Sequence, residues 1–335
     1  MDDHARRPTG RDRWAAFRGS PFLPAVVLVL ILAAAAGLFA GSYTYAMANP
    51  APRHVPIAVT GDQARAAPLV AALDRSLSTR LAVREYPSYA AALRAVQEQR
   101  RFAILDAGPS GARLDLAGAA GQSVARLLAL AAPKAARSAG EPLAVRDVRP
   151  LQPTDPQGLA IFYISLASVI IGFVGAIQLS VHARALNAGE RVAFIAAYAV
   201  LGGFTIAAVV DWLLGVLRLP FAESWGILSL TMFASGMVFT MFNTLVRRWA
   251  MIPTWGLMVL LGNPSSGGAV SWPLLPSGLG AVGRWLPPGA AVNAQHTAIY
   301  FRSHQHVVPF LVLAAWAGVS LAVFLAWRHR HPGGR

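Results

Sequence analysis

The chain has 335 residues, of which 55% are hydrophobic and only 13% charged, and its mean hydropathy is +0.48. A soluble domain carries about 25% charged residues, so this composition excludes an ordinary soluble protein, and the apolar content excludes a disordered chain. The 29 basic and 15 acidic residues leave a net charge of +14, which points to nucleic acid in a soluble protein and to topology in a membrane protein. There is no cysteine, which excludes disulfides, thiolate metal sites and cysteine nucleophiles. The only lysine, Lys134, precedes Ala135. A phosphate-binding loop needs Gly-Lys-Ser/Thr, so nucleotide-driven work would need an ATPase on another chain.

Residues 1–21 carry Arg6, Arg7, Arg11, Arg13 and Arg18, with Trp14 and Phe17 at i, i+3 among them. That pattern suits a short interfacial helix. A first span is predicted over Phe22–Tyr45, because about 20 apolar residues cross 30 Å of hydrocarbon. Its basic start and Ala46-Met47-Ala48 also fit a cleaved signal peptide, but its length suits a retained anchor better. Gly37-x-x-x-Gly41, like Ser168-x-x-x-Gly172 further on, offers a small-residue face for helix packing or for a dimer seam.

Residues 46–158 hold most of the acids and no spanning stretch. Strands are predicted at Val55–Thr60, Leu81–Tyr86 and Phe102–Leu105, with helices at Pro68–Leu77 and Ser88–Gln99 between them. Arg113–Ala117, Gln122–Arg137 and Leu143–Val148 continue as strand, helix and strand. This order predicts a partly parallel α/β sheet. Gly108-Pro109-Ser110-Gly111 reads as a turn rather than a ligand loop, and Asp62, Asp74, Glu85, Glu98 and Asp106 read as a solvated surface.

Residues 159–261 predict four more spans: Leu159–Ser180, Val192–Leu217, Ser224–Val246 and the shorter Trp249–Leu261. The last covers only about 20 Å at 1.5 Å per residue and then meets Gly262-Asn263-Pro264. It is expected to be completed by a broken or re-entrant segment. A sixth span follows at Val307–Trp327, before the tail 328–335. Arginines decide the orientation: Arg184 and Arg191, Arg247 and Arg248, and Arg328, Arg330 and Arg335 share a side with the first five. The other short loops hold only Arg218, Arg284 and Arg302. By the positive-inside rule both termini lie in the cytoplasm. The expected fold is thus an α-helical polytopic membrane protein of six spans with a small extracytoplasmic α/β domain between spans 1 and 2. Asp211, inside span 3, is either a functional intramembrane acid or a side chain that snorkels or pairs with Arg218.

Residues 262–306 are apolar and crowded with Pro and Gly. Leu279, Val282, Trp285 and Leu286 have helical spacing, ended by Pro287-Pro288-Gly289, and Val292–Tyr300 forms a further helix. The segment reads either as a buried outer cap or as a re-entrant gate at the mouth of a translocation path. His296, His304 and His306 have no carboxylate or thiolate cluster beside them and read as loop histidines rather than metal ligands.

Asn263-Pro264-Ser265-Ser266-Gly267-Gly268, Leu275-Pro276, Trp285-Leu286-Pro287-Pro288-Gly289 and Tyr300-Phe301 resemble the C-terminal signature of ABC-2-type membrane proteins. The similarity is to their YhgE/Pip-like and DUF3533-like branch, and Asp155-Pro156-Gln157-Gly158-Leu159 resembles that branch as well. The specific motif covers about 40 residues, and the architecture covers nearly the whole chain. The resemblance implies an exporter permease of the plasma membrane that pairs as a homodimer or heterodimer and is driven by a cytoplasmic ABC ATPase. It would move a hydrophobic or amphipathic substrate outward, with Asn263, Pro264, Ser265, Gly267, Gly268, Pro276, Pro287, Pro288 and Gly289 near the outer gate. By the same resemblance, Arg184, Asn187 and Glu190 in the loop between spans 2 and 3 are candidate ATPase contacts; read without it, that loop is a simple positive-inside turn. No nucleophile elbow, zinc motif or carboxylate pair marks an enzyme, and no cofactor is expected. The alternative is a non-transporting envelope protein whose outer domain binds a partner or surface component. Most of the +14 then reports orientation: the cytoplasmic segments hold twelve arginines against four acids, and a nucleic-acid partner loses its support.

Overall fold

The computed structural model describes residues 14, 19–20, 22–109 and 111–331. Apart from Trp14, the expected interfacial helix at Arg11–Arg18 lies outside the described residues, as does Ser110. The chain is mostly helical with one small sheet. Five helices are long and apolar enough to cross a membrane: α1 (Phe22–Met47), α5 (Ala160–His182), α6 (Ala188–Ala208, continued by Val209–Leu213), α7 (Phe221–Val246) and α11 (Val308–Arg330). This is consistent with a multi-pass membrane protein.

The sheet domain follows α1. Its strands are β1 (Pro56–Gly61), β2 (Ala82–Glu85), β3 (Ala103–Gly108), β4 (Gly111–Leu116) and β5 (Leu143–Asp147), in the order β2-β1-β3-β4-β5. β1 runs parallel to β2 and β3, and β4 runs antiparallel to β3 and parallel to β5. The connecting helices are α2 (Gln63–Leu77), α3 (Tyr89–Gln97) and α4 (Gln122–Ala139). Asp62 caps α2 by accepting from the Ala64 amide at 2.9 Å, and Ser88 caps α3 by accepting from Ala91 at 3.2 Å, each satisfying a first-turn donor. Leu69 and Leu73 of α2 and Leu128 and Ala132 of α4 pack on one sheet face with Ile57, Leu105 and Leu114. Ala92 and Val96 of α3 cover Ala58 and Ile104 on the other. Gly108 pairs with Gly111, so β3 and β4 form a hairpin, as the turn expected at 108–111 requires.

α7 sits at the centre of the long helices, packed on α5, α6 and α11. Gly172 lets α5 approach the α7 backbone closely: a Cβ there would stand 2.8 Å from Met232 Cα. α1 stands aside and meets mainly the Gly256–Gly262 stretch, with Phe39 stacked 6.2 Å from Trp255. The third long helix begins four residues before the sequence expectation and ends four residues sooner. Asn187 and Glu190 form a capping box at its start, and Gly215 turns the chain at a positive φ of 62° after its π-helical end.

The short apolar helix comprises α8 (Met251–Trp255) and the π-helical Gly256–Gly262. After it come α9 (Ser277–Gly283) and α10 (Pro287–Tyr300). Pro287 and Pro288 occupy the first turn of α10 as well as closing the segment before it. Proline's missing N–H is unneeded at a helix start, and its φ already suits one. The helix therefore begins five residues ahead of the expected Val292.

Candidate functional site

The Pro/Gly-rich segment folds into one close-packed block. A Cβ on Gly262 would stand 2.6 Å from Pro288 Cγ. Gly283 lies against the Ser265 carbonyl, and Gly289 against the Gly283 carbonyl. The hydroxyl of Ser265 donates to the Leu261 carbonyl at 2.6 Å, satisfying one acceptor at the end of the π-helical turn. Asn263 is 2% exposed, and its Nδ2 is buried without a hydrogen-bond partner among the described residues. Asn263, Ser265, Gly267, Gly268, Pro287, Pro288 and Gly289 are thus part of one packed unit. Pro276 stands at its edge, where its extended φ and ψ start α9 and its carbonyl accepts from Gly280 at 3.0 Å.

This block is keyed into the sheet domain. Leu274 is buried within the domain's own core, among the side chains of α2, α4 and the strands. The amide of Arg53 donates to the Pro273 carbonyl at 2.7 Å. Ser123 Oγ donates to Ser271 Oγ at 2.7 Å and accepts from the Ser271 amide at 2.8 Å. Gln99 Nε2 donates to Thr297 Oγ1 at 3.1 Å, and the His306 ring meets the Glu98 carbonyl at 2.6 Å. These bonds satisfy backbone and hydroxyl groups that would otherwise be buried unpaired.

A cavity of about 230 Å³ lies at this seam. Gly267 and Gly268 form part of its wall, and so do Gln157 and Gly158 of the Asp-Pro-Gln-Gly turn. Two stretches that stood out in the sequence, about 110 residues apart, thus meet at one space. Asp155 explains the turn: its carboxylate accepts the Leu159 and Ala160 amides at 3.1 Å each, holding the positive end of α5. Gly158 sits at φ 67°, and a Cβ there would meet Leu151 Cδ1 at 2.9 Å, so glycine is required at the turn.

The wall also includes Phe102, Ser123, Arg126, Trp272, Asn293 and His296; sequence spacing grouped none of them at one site, and His296, expected as a loop histidine, lies instead within helix α10. Gly121 before Gln122 marks a helix start with no capping side chain, which is the one signal that could have flagged the cavity. His296 lies on α10 with its Nδ1 buried and unpartnered. Burial pushes its pKa down to about 4, opposed by the neighbouring Ala119 backbone, so the ring is neutral at pH 7.

The remaining predicted residues lie away from the cavity. Asn187 accepts from the Glu190 amide at 2.9 Å, and the Glu190 carboxylate accepts from the Asn187 amide at 2.8 Å. Arg184 donates to the Val181 carbonyl at 3.1 Å. All three serve the local fold of the loop. Asp211 is half-buried within the π-helical turn, and among the described residues no ion pair joins it to Arg218. Gln152 holds Arg218 instead through its backbone, accepting from the amide at 2.7 Å and donating to the carbonyl at 3.1 Å.

A second polar group on the sheet was also missed. Asp115 has no exposed surface, and its carboxylate accepts from Tyr89 Oη at 2.6 Å and from Arg146 at 3.2 Å. Burial, then the Asp115 hydrogen bond, raises the Tyr89 pKa. Asp106, read as solvated, accepts from Thr60 and Arg113 at 2.8 Å each. Comparisons with family models, with curated proteins and with solved structures return no match.

Proposed function

We propose that the chain is the permease subunit of an ABC-2-type exporter. In this reading it spans the plasma membrane six times, with both termini in the cytoplasm and the sheet domain outside. The short α8 and its π-helical continuation complete the fifth crossing together with the folded-back loop at 262–268. A separate cytoplasmic ABC ATPase supplies ATP hydrolysis. The chain works as a homodimer or as a heterodimer with a similar permease, and it moves a hydrophobic or amphipathic substrate outward. The observation that carries the reading is the packed block at 262–289, a broken helix followed by backbone that folds back against protein. Irregular backbone at membrane depth is tolerated only where protein or a water-filled path covers it, and such breaks mark transport sites. The arginine asymmetry supports the orientation.

Purification of the tagged chain with native lipids tests the proposal. The expected result is a co-purifying P-loop ATPase whose hydrolysis rate changes with this subunit present. Recovery of the intact chain without an ATPase favours the second reading, an envelope protein whose outer domain binds a partner or surface component. That reading draws on Arg84, Arg113 and Arg146, which share the sheet face that α3 covers over β1 and β3.

A further inference from the structure

The polar wall of the seam cavity consists chiefly of uncharged groups. Four carboxamides line it, Gln99, Gln122, Gln157 and Asn293. Three of them spend an amide N–H on the fold: Gln99 on Thr297 Oγ1 at 3.1 Å, Gln122 on the Pro156 carbonyl at 3.2 Å and Asn293 on the Gly289 carbonyl at 2.8 Å. The side-chain oxygens of these three accept nothing among the described residues, and they are not sealed from solvent. The Trp272 Nε1–H, beside Gly267, is likewise open and without a partner among the described residues. Phe102, Leu151 and Val292 supply apolar wall. Among the residues lining the space there is no carboxylate. Asp147, in the depression next door, is engaged by the Gly118 and Arg149 amides at 3.2 and 2.9 Å. Arg126 is exposed at the rim, where water solvates it, and Arg284 stands 5.1 Å over the Trp272 ring. A cation entering the cavity would meet like charge at its edge, and an anion would leave water for a space with no buried counter-charge. Open acceptors and an open donor on uncharged groups match a hydroxyl, which both donates and accepts.

We propose that this cavity binds one neutral polyhydroxylated ring, a monosaccharide or cyclitol unit. Its hydroxyls bond the carboxamides and the Trp272 N–H, and its C–H groups lie along Phe102 and the aliphatic wall. A few placed polar groups on a largely apolar wall are how small-molecule sites orient a ligand. The volume suits one ring: a cavity of 150 Å³ holds benzene, and this one, at about 230 Å³, leaves space for hydroxyls around a ring of that size. A free sugar and the headgroup of a glycolipid share this chemistry. The binding stands on the cavity alone and does not need the exporter reading. Failure to recover an ATPase leaves it intact, and loss of sugar binding leaves the exporter reading intact.

The test uses the full chain in octaethylene glycol dodecyl ether micelles, because maltoside detergents carry glucose themselves. Saturation-transfer NMR reads D-glucose, D-galactose, D-mannose, N-acetyl-D-glucosamine and myo-inositol one at a time. Saturable binding of at least one is expected. Asn293→Leu and Gln157→Leu should each weaken it about fivefold, the worth of one neutral hydrogen bond. The Gln157 side chain is exposed and makes no hydrogen bond among the described residues, so this variant should melt at the wild-type temperature even where Asn293→Leu does not. Arg126→Gln and 1 M salt should leave the binding unchanged, because the ligand carries no charge to screen. Glycolipid is tested in phosphatidylcholine nanodiscs with and without monoglucosyl or monogalactosyl diacylglycerol, where a ligand of the folded state raises the melting temperature. Binding of a free sugar with no glycolipid shift assigns the site to a soluble ligand. A glycolipid shift that Gln157→Leu diminishes assigns it to a headgroup. The proposal is overturned if no free probe saturates and neither glycolipid raises the melting temperature, if binding ignores both Asn293→Leu and Gln157→Leu, or if 1 M salt abolishes it.

Discussion

Helix α1 is the most apolar of the five long helices, and none of its most apolar window is buried against the rest of the chain. α7 is the least apolar, and 61% of its window is buried. In a soluble protein the order would be reversed, because water drives the most apolar surface inward. Lipid tails are as apolar as leucine, so here burial follows close packing and hydrogen bonding instead. α7 buries Ser224, Thr231, Ser235 and Thr240, and the Thr231 and Thr240 hydroxyls each donate to the carbonyl four residues earlier at 2.8 Å. The two small-residue stripes show the same division: Gly172 is pressed against α7, while a Cβ on Gly37 or Gly41 would meet nothing within 4 Å.

The largest expected effect comes from exchanging the two glycines for leucine. At Gly172 the nearest obstacle is the Met232 main chain, at 2.5 Å from a Cβ, and backbone cannot rotate aside. Overpacking costs about 1–3 kcal/mol and occasionally more, so Gly172→Leu should lower the melting temperature in detergent sharply or abolish folding. Gly37→Leu should leave it unchanged. A comparable loss from Gly37→Leu breaks the contrast and gives α1 a protein partner, detectable as a change in oligomeric mass.

Acid should act next most strongly, through the seam between block and domain. His296 is neutral in the fold, with its pKa pushed down to about 4 from 6.5. A group whose folded pKa is depressed takes up protons first in the unfolded chain. Its contribution is therefore whole above pH 6.5 and is lost as pH falls toward 4, up to about 3 kcal/mol. The melting temperature should drop over this window in wild type and drop less in His296→Gln. An identical pH profile in the variant means that the ring does not hold the seam.

The fold was legible where a periodicity is local. Short β-type runs, with alternation at Leu81–Tyr86, placed the five strands near their bounds, and 20-residue apolar runs placed the five long helices, because both signals are local. The seam was less legible. Leu274 reads as one more apolar residue in a Pro/Gly-rich stretch, and only the folded chain brings it into a core built from residues 55–135. His296 was weighed as a metal ligand from its neighbours in sequence, whereas its neighbours in space come from Ala119 and the cavity. Arg126 was one of many arginines in the domain, and nothing in sequence marks the one that stands at the cavity edge. The prolines at 287 and 288 signal a helix end and a helix start alike, so the boundary of α10 needed the structure.

A smaller effect is expected at the loop before α6. Asn187→Ala removes the reciprocal cap with Glu190 and should cost about 1 kcal/mol, seen as a modest drop in melting temperature. Asn187→Ser keeps a capping oxygen and should restore it. On the exporter proposal, a chain that melts normally as Asn187→Ser yet no longer changes the hydrolysis rate of a co-purified ATPase would give the loop a role beyond capping its own helix.

The smallest change in stability is expected at Asp211, where the contrast between protein-held and lipid-facing groups is sharpest. The residue sits at the end of α6, beside Trp212, which is 62% exposed and stacks on Phe221 with ring centroids 4.3 Å apart. It has no ion pair among the described residues, so removing its charge breaks no bond that the fold uses. Asp211→Asn should therefore shift stability by no more than about 0.5 kcal/mol. An acid at the edge of an apolar helix that stability does not need either reaches water or, on the exporter proposal, serves transport. The two differ in an export assay: the same variant, equally stable, should lose export only in the second case. Unchanged export would assign Asp211 to the membrane boundary.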